Sequence, residues 1–530
     1  RLRIKKFMRI KLFSKKYIFF FFFLFFFSIF INYYYSKFGV FPIDTFLHFD
    51  NGYRILNGQN PFSDFWTVSG PTVDYTQSVF FYFFGVNWKS YILHSSLINA
   101  LATIFTFIVL KNFKLKIYYC FFYSLLFSIL AYPSSGTPFV DHHSAFFSLF
   151  GVYSFLLALN NKSKIQWFLI PFFLGLAFLS KQVPASYIIL SVGFILMLYS
   201  FRKRTFIYIN YCLISSIVFI LFVLLFGGLK GIKLSDFFDQ YIFYPQTIGL
   251  DRLENFNFTF SGVVDHFKFI YFMFIPLLYV NYKKILDSKN YFKNNEIFVL
   301  LILFSLTFSL IFHQLLTSNQ TFIFFLVPIL AAFSHIALNE IKIKFVNLTQ
   351  IILILVCLFA ATKYHLRFNE NRKFHELTGV NLTQALEANL IDKKLEGLNW
   401  ITRQYSEQPR TEINIINQIK LNLKHDSRKK MLITNYTFFS SILDQELFSP
   451  SWAFTSNGTT HPMKGNKYME NYKQLMIDII KKNKILVIYI AGSLEDIHIY
   501  NYINRNCFIE NVVSDNLKSY EIKDCIDING

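Results

Sequence analysis

The first two thirds of the chain alternate long apolar segments with short polar ones. Most apolar segments approach the length of about 20 residues that an α-helix needs to cross a bilayer. The pattern predicts about eleven membrane-spanning helices. These segments lie at 17–35, 77–110 (one span plus a re-entrant or interfacial piece), 117–132, 144–159, 166–180, 184–200, 205–227, 266–281, 296–312, 320–338 and 345–362.

The pattern changes after residue 364. Residues 365–530 are more polar, and short apolar runs at 431–434 and 485–490 flank an amphipathic stretch at 469–482. Runs of this length are typical of buried strands, and the stretch between them has the period of a helix. The sequence therefore predicts a transmembrane domain, 1–364, followed by a small C-terminal α/β domain, 365–530.

Composition and charge support an integral membrane protein. The chain is 54% hydrophobic with 70 Phe, and Lys+Arg 52 minus Asp+Glu 32 gives a net charge of +20. The excess lies in short loops, which indicates membrane topology, and no nucleic-acid partner is expected. The basic clusters lie at 1–16, 111–116, 162–164, 202–204, 283–293 and 342–344.

A cytoplasmic N-terminus puts every basic cluster on the cytoplasmic side. The loops at 36–76, 133–143, 181–183, 228–265 and 313–319 and the C-terminal domain then face outward. The first span is expected to be an uncleaved anchor. An outward C-terminal domain would also allow a disulfide between Cys507 and Cys525.

The first outer loop contains a predicted helix at 43–58. Asp44 is interpreted as its N-cap and Gly58 as its C-terminal stop. Four aromatic or apolar side chains share one face, and this face is expected to lie on the membrane. They are Phe46, Phe49, Tyr53 and Leu56.

Asp50 and Arg54 lie four residues apart on another face of this helix. One interpretation is a surface ion pair. The other is a general base, Asp50, at the boundary between membrane and water. The loop also contains Ser69-Gly70-Pro71, which predicts a tight turn before the next apolar run.

Two further outer positions contain candidate site residues. Asp141 opens a span, either as an acid favoured by the helix dipole or as a site residue, and the adjacent His142 is a candidate for orienting a substrate. Lys181 lies between two short apolar segments, on the side opposite the other basic clusters. It either extends to the membrane surface or binds an anionic lipid headgroup.

Three of these segments together resemble one family. They are the pattern Asp50, Gly52, Gly58 and Pro61, then Asp141 at the head of a span, and then Gly175-Leu-Ala-Phe-Leu-Ser-Lys181. They are similar to motifs of the GT-C glycosyltransferases, of the protein O-mannosyltransferase and lipid A aminoarabinose transferase type. The resemblance covers about the first 200 residues, and Asn51 and Gln182 depart from the family pattern.

The resemblance implies a polytopic α-helical GT-C-like fold and transfer of a sugar from a polyprenyl phosphate. Asp50 would be the base, Lys181 and Arg54 would neutralise the leaving phosphate, and Asp141 would hold hydroxyls or place a cation. The sequence does not require a metal, although a divalent cation is left open.

The acceptor is a lipid, glycan or protein, and membrane lipids surround the chain. The expected location is a bacterial inner (plasma) membrane. A transporter or flippase, or an envelope polysaccharide polymerase or ligase, is the alternative.

Overall fold

The protein is an integral membrane protein built mostly of helices. The structure, a computed structural model, describes residues 15–161, 163–254, 259–287, 295–317, 323–341, 345–455, 457–492 and 499–523. Within these ranges, eight helices are long and apolar enough to cross a membrane, and three shorter apolar helices lie at Ile117–Leu130, Lys164–Phe178 and Leu326–Leu338. Each predicted span overlaps an apolar helix, while the total of eleven spans stays a prediction.

The helices of the first two thirds are named in chain order. They are α1 (Lys15–Tyr35), α2 (Pro42–Leu56), α3 (Thr72–Phe84), α4 (Trp88–Asn112), α5 (Ile117–Leu130), α6 (Val140–Asn161), α7 (Lys164–Phe178), α8 (Gln182–Lys203), α9 (Ile207–Leu229), α10 (Leu234–Phe237), α11 (Tyr244–Glu254), α12 (His266–Asp287), α13 (Glu296–Thr317), α14 (Leu326–Leu338) and α15 (Val346–His365).

Helix α6 lies at the centre of the helical bundle. About 94% of its most apolar window is buried, compared with 11% for α9, yet its mean hydropathy is 1.3 and that of α9 is 2.7. A helix surrounded by lipid must be apolar on every side, whereas a helix enclosed by protein can carry polar groups. This difference explains why Asp141 and several serines are tolerated on α6.

The C-terminal region contains a four-stranded sheet with helices, as expected for a small α/β unit. The elements are β1 (Leu386–Glu387), β2 (Asn399–Trp400), α16 (Pro409–His425), β3 (Lys430–Thr434), α17 (Phe439–Leu443), α18 (Met469–Asn483), β4 (Val487–Ala491), β5 (Phe508–Ser514) and β6 (Leu517–Ile522). The sheet has the order β3-β4-β6-β5; β3 and β4 are parallel and the other pairs are antiparallel. The predicted strands and helix correspond to β3, β4 and α18.

The start of α2 corrects one prediction. The N-cap is Phe41 and has no side-chain cap, so Asp44 lies within the first turn and is not the N-cap. Pro42 begins the helix because its fixed φ suits the first helical position and it has no N–H to satisfy. Thr45 Oγ1 accepts a hydrogen bond of 2.9 Å from the Phe41 N–H. The Asp44 carboxylate is therefore not used as a cap.

The aromatic face of α2 also differs from its prediction. It does not lie on a membrane surface but is buried within the protein. Phe46 packs against Trp88 of α4 and against Trp400 and Phe438 of the C-terminal region. The prediction was wrong because the distant C-terminal residues that cover α2 leave no trace in the local sequence pattern.

Cysteine pairing is described in part. Cys507 is disulfide-bonded, while Cys120, Cys212 and Cys357 are free thiols. Cys525, the partner that the sequence suggested, lies outside the described residues.

Candidate functional site

The Asp141 carboxylate is held by side chains from two other parts of the bundle. Lys181 Nζ donates to both of its oxygens at 2.7 Å, and His313 Nε2 lies 3.0 Å from Oδ1. The side chains of Asp141 and His313 are 3% and 1% exposed, whereas that of Lys181 is 24% exposed. An ammonium has three N–H donors, so Lys181 keeps one for a ligand.

A break between α7 and α8 positions Lys181. Its backbone is extended, with φ −154 and ψ 136, and Val183 is also non-helical, with φ −118 and ψ 136. Val183 precedes Pro184, whose ring disfavours helical geometry in the residue before it. Ser144 Oγ on α6 donates to the Lys181 carbonyl at 3.2 Å. The break therefore faces the helix that carries Asp141.

The turn at Ser69-Gly70-Pro71 supports the same break. Gly70 N–H donates to the Ser180 carbonyl and Thr72 N–H to the Leu179 carbonyl, both at 3.1 Å. A Cβ on Gly70 would lie 1.9 Å from the Leu179 carbonyl oxygen, a distance that no side chain tolerates. Glycine is thus required because two backbones approach each other closely.

Gln182, a departure from the family pattern, has a structural partner on each side. Its Nε2 donates to the Val68 carbonyl at 2.8 Å and to the Tyr241 carbonyl at 2.5 Å. The residue after Lys181 therefore joins the first loop to the segment before α11. This side chain stabilises the break instead of facing a ligand.

Asp44 belongs to the same electrostatic environment. Asp44 is half-buried, and its carboxylate makes no hydrogen bond with the residues that the structure describes. Burial raises its pKa to about 6, and the negative charge of Asp141 adds to this rise while Lys181 opposes it. Asp44 therefore lies within electrostatic range of the Asp141 and Lys181 pair.

Asp50 is not brought to this group. It lies six residues after Asp44, which places it about 9 Å further along α2 and on a different face. Its carboxylate faces Ser440 and Ser441 of the C-terminal region, and burial raises its pKa although Arg54 opposes that rise. Asp50 and Arg54 are both buried, so they do not form the surface pair considered above.

Arg54 is occupied by the C-terminal region. Its guanidinium donates to the Ser449 carbonyl at 2.7 Å and to Gln59 Oε1 at 2.9 Å. It also lies over the Phe65 ring, 3.9 Å from the centroid. Each of these contacts is within the protein, so Arg54 fastens α2 to the C-terminal region.

His142 follows Asp141 but lies beside different partners. Its Nε2 is 3.1 Å from Ser134 Oγ, and its ring stacks on Tyr132 with centroids 4.8 Å apart.

In the described ranges, no three His, Cys, Asp or Glu side chains are grouped so that they could hold a metal ion.

His313 is a member of the site that sequence reasoning undervalued. It follows a span and resembles an ordinary loop residue in the sequence. The available signal was a histidine at the end of a span on the same side as Asp141, which alone is weak. Only the packing of α13 against α6 brings its Nε2 to the carboxylate.

The fold is similar to that of solved glycosyltransferase structures. The crystal structure of the lipid A aminoarabinose transferase ArnT from Cupriavidus metallidurans in the apo state matches with a TM-score of 0.52 and 10% sequence identity, over 94% of this chain and 97% of ArnT. The same ArnT bound to undecaprenyl phosphate matches with a TM-score of 0.49 and 10% identity, over 98% and 99%. No protein-family model and no curated protein sequence matches the chain. The chain thus has the GT-C-like fold that its loop motifs predicted.

Proposed function

We propose that this protein is a glycosyltransferase of the bacterial inner membrane that moves a sugar from a polyprenyl phosphate to an acceptor on the outer face. The observation that carries the proposal is the group of Asp44, Asp141 and Lys181. The carboxylate of the half-buried Asp44, which has no hydrogen-bond partner among the described residues, lies within electrostatic range of the Lys181 ammonium, which has one N–H to spare. This pairing suits proton removal beside neutralisation of an anion.

The chemistry follows from what a phosphate leaving group needs. The acceptor oxygen attacks the anomeric carbon, and the bond from that carbon to the phosphate oxygen breaks with its electron pair going to the phosphate. The leaving group is a weak base, so it needs a positive charge more than a proton, and Lys181 supplies one. Asp141 and, through it, His313 hold the Lys181 ammonium in place.

The base is assigned to Asp44 in this proposal. The acceptor hydroxyl must lose its proton, and a carboxylate within hydrogen-bond reach of it can take that proton. The electrostatic interaction of Asp44 with Asp141 and Lys181 supports this assignment. The prediction that Asp50 is the base stays open to experiment, as does a role for Arg54 or His142 at the substrate.

A transfer assay with purified protein in liposomes tests the proposal. Radiolabelled polyprenyl-phosphate sugars are supplied, and both label transfer and free polyprenyl phosphate are measured. Asp44→Asn and Asp141→Asn should each lower the rate by on the order of 100-fold or more. The control is Asp265→Asn, which removes an exposed carboxylate paired with Lys268 and should leave the rate unchanged.

Two results would change the conclusion. Activity that is lost in Asp50→Asn but kept in Asp44→Asn would return the base to Asp50. Labelled donor that crosses the bilayer intact, without release of polyprenyl phosphate, would replace glycosyl transfer by lipid transport.

A further inference from the structure

A buried titratable pair lies one helical turn beyond Asp44 and has no part in the scheme above. His48 Nδ1 on α2 lies 2.5 Å from Asp74 Oδ1 on α3, and their side chains are 0% and 1% exposed. Asn51 donates to the other Asp74 oxygen at 3.2 Å. Asp74 therefore fixes the orientation of the His48 ring from the first turn of α3.

The two nitrogens of the His48 ring differ in their hydrogen bonding within the described residues. Because a carboxylate accepts from Nδ1, the neutral imidazole carries its proton there and presents Nε2 as a basic lone pair. Nε2 is buried and makes no hydrogen bond with any residue in the described ranges. Buried polar atoms are nearly always paired, so an unpaired ring nitrogen marks a place where a proton or a water is received.

Charged or titratable side chains from four helices, α2, α3, α4 and α6, interact with His48. Asp44 lies on the same helix, four residues earlier, and interacts electrostatically with His48. Asp74 comes from α3, His94 from α4 and His143 from α6, and the last two also interact electrostatically with His48.

The two neighbouring histidines are already fully hydrogen-bonded. Their Nε2 atoms lie 2.9 Å apart. The Nδ1 of His94 is 3.0 Å from Gln77, and that of His143 is 2.5 Å from the Tyr132 hydroxyl. Among these three rings, only His48 has a nitrogen left to receive a proton.

We propose that the pair of His48 and Asp74 receives the proton that Asp44 takes from the acceptor. The inference rests on the glycosyl transfer proposed above. The acceptor hydroxyl forms its bond to the anomeric carbon and gives its proton to the Asp44 carboxylate. That proton then moves to His48 Nε2, through one water or a rotation of the Asp44 side chain. Asp44 returns to the carboxylate, and the new imidazolium is paired with the Asp74 carboxylate.

This arrangement solves a problem that a lone carboxylate has. Asp44 must be unprotonated at the start of each turnover. An imidazolium formed at His48 is paired with the Asp74 carboxylate 2.5 Å away, so its positive charge is compensated inside the protein. In this scheme His48 interacts with Asp44 and not with the substrate. It supports catalysis by accepting the proton from Asp44.

Two variants distinguish the loss of the basic His48 Nε2 from the loss of a hydrogen bond to Asp74. His48→Asn removes Nε2, while its amide can still donate to Asp74 in place of Nδ1. Asn51→Ala is the matched control, because it removes a contact with Asp74 from the same helix without removing a base. The rate of His48→Asn at neutral pH should fall by on the order of 100-fold, and that of Asn51→Ala much less.

The pH profile supplies a readout that a structural role would not change. Wild type needs both Asp44 and His48 unprotonated, so the logarithm of kcat/KM should fall with a limiting slope of 2 at acidic pH. In His48→Asn only Asp44 remains, and the slope should be 1. A slope of 1 in wild type, or equal rates in His48→Asn and Asn51→Ala, would overturn the proposal.

Nuclear magnetic resonance tests the pair without turnover. In detergent-solubilised protein labelled with ¹⁵N-histidine, the resonance lost in His48→Asn should show a proton on Nδ1 near neutral pH and should shift in Asp74→Asn. An unchanged resonance in Asp74→Asn would contradict the pair. If the resonance behaves as expected but no donor is consumed, the hydrogen bond between His48 and Asp74 stands, whereas glycosyl transfer and the proton path both fail. If donor is consumed but the slope in wild type is 1, glycosyl transfer stands and the proton path alone fails.

Discussion

Lys181 Nζ donates two hydrogen bonds of 2.7 Å to the Asp141 carboxylate, although 40 residues separate them in the chain. Each side chain depends on the other. The carboxylate is almost fully buried, and the ammonium reaches it from a break between two helices. Charged groups inside a membrane protein are retained mainly where they pair or act on a substrate. This contact does both in the proposed mechanism, since it places a cation where a phosphate would leave.

Replacing Lys181 by methionine should destabilise the protein and abolish transfer. The substitution leaves a buried carboxylate with His313 as its remaining partner, and breaking a buried pair costs about 3 kcal/mol. The double variant Lys181→Met with Asp141→Asn removes both charges and should recover most of that stability but no activity. Thermal unfolding in detergent and the transfer assay measure the two effects.

Lys268→Met is the control for this experiment. Lys268 forms an exposed pair with Asp265, and exposed pairs contribute at most about 1 kcal/mol. If the unfolding temperature of Lys181→Met matches that of Lys268→Met, the pair with Asp141 does not stabilise the fold.

The membrane-spanning helices could be predicted from the sequence because the requirements on each helix concern only its own residues. Each helix in lipid must satisfy its own backbone hydrogen bonds and be apolar over a fixed length. The apolar runs at 205–227 and 296–312 thus correspond directly to α9 and α13. The burial of α2 could not be predicted from the sequence, because the residues that cover it, such as Trp400 and Phe438, lie hundreds of positions away in the chain.

The site was predictable in part for the same reason. Asp141 and Lys181 stood out as charges at the ends of apolar runs on one side of the membrane, and the structure joins them. From the sequence, Asp50 was predicted to be the base and Asp44 the N-cap, although both lie on α2 and Asp44 is not the N-cap. The choice depends on which face the C-terminal region covers. His313 joins the site only through tertiary packing.

Asp44 should make both activity and stability depend on pH near 6. Its pKa is raised from 3.8 to about 6. The base must be ionised, so transfer should fall as the pH drops below about 6. Stability changes in the opposite sense. A raised acid pKa stabilises the folded state fully below about pH 4, and this contribution is lost as the pH rises through about 6.

Asp44→Asn isolates the stability effect. Wild type should lose stability relative to this variant as the pH rises from about 4 to about 6. Chemical denaturation at several pH values measures the difference. A difference that stays constant across that window would show that the pKa of Asp44 is not raised in the folded state.

Gly70→Ala should damage the site without touching a charged residue. Its Cβ would meet the Leu179 carbonyl oxygen at 1.9 Å and the Tyr241 hydroxyl at 2.8 Å. The turn must move away from the break that carries Lys181, and such overpacking costs about 1–3 kcal/mol. We expect lower thermal stability and weaker transfer.

Gly193→Ala provides a matched comparison on α8. A Cβ at Gly193 meets nothing within 4 Å. Alanine is favoured over glycine within a helix by about 1 kcal/mol, so this variant should be as stable as wild type or more so. Equal unfolding temperatures for the two alanine variants would mean that the turn tolerates a side chain at position 70.

Arg54→Met should loosen the C-terminal region from α2 while sparing the bundle. The variant loses the hydrogen bond of 2.7 Å to the Ser449 carbonyl and leaves the buried Asp50 without its nearby cation. Hydrogen exchange followed by mass spectrometry should show faster exchange at 436–453, whereas α6 and α13 should be unchanged. Arg403→Met is the control, because Arg403 pairs with Glu376 in an exposed contact. If 436–453 exchanges equally fast in both variants, Arg54 does not fasten the two parts, and its guanidinium becomes free for the phosphate role that the sequence first suggested.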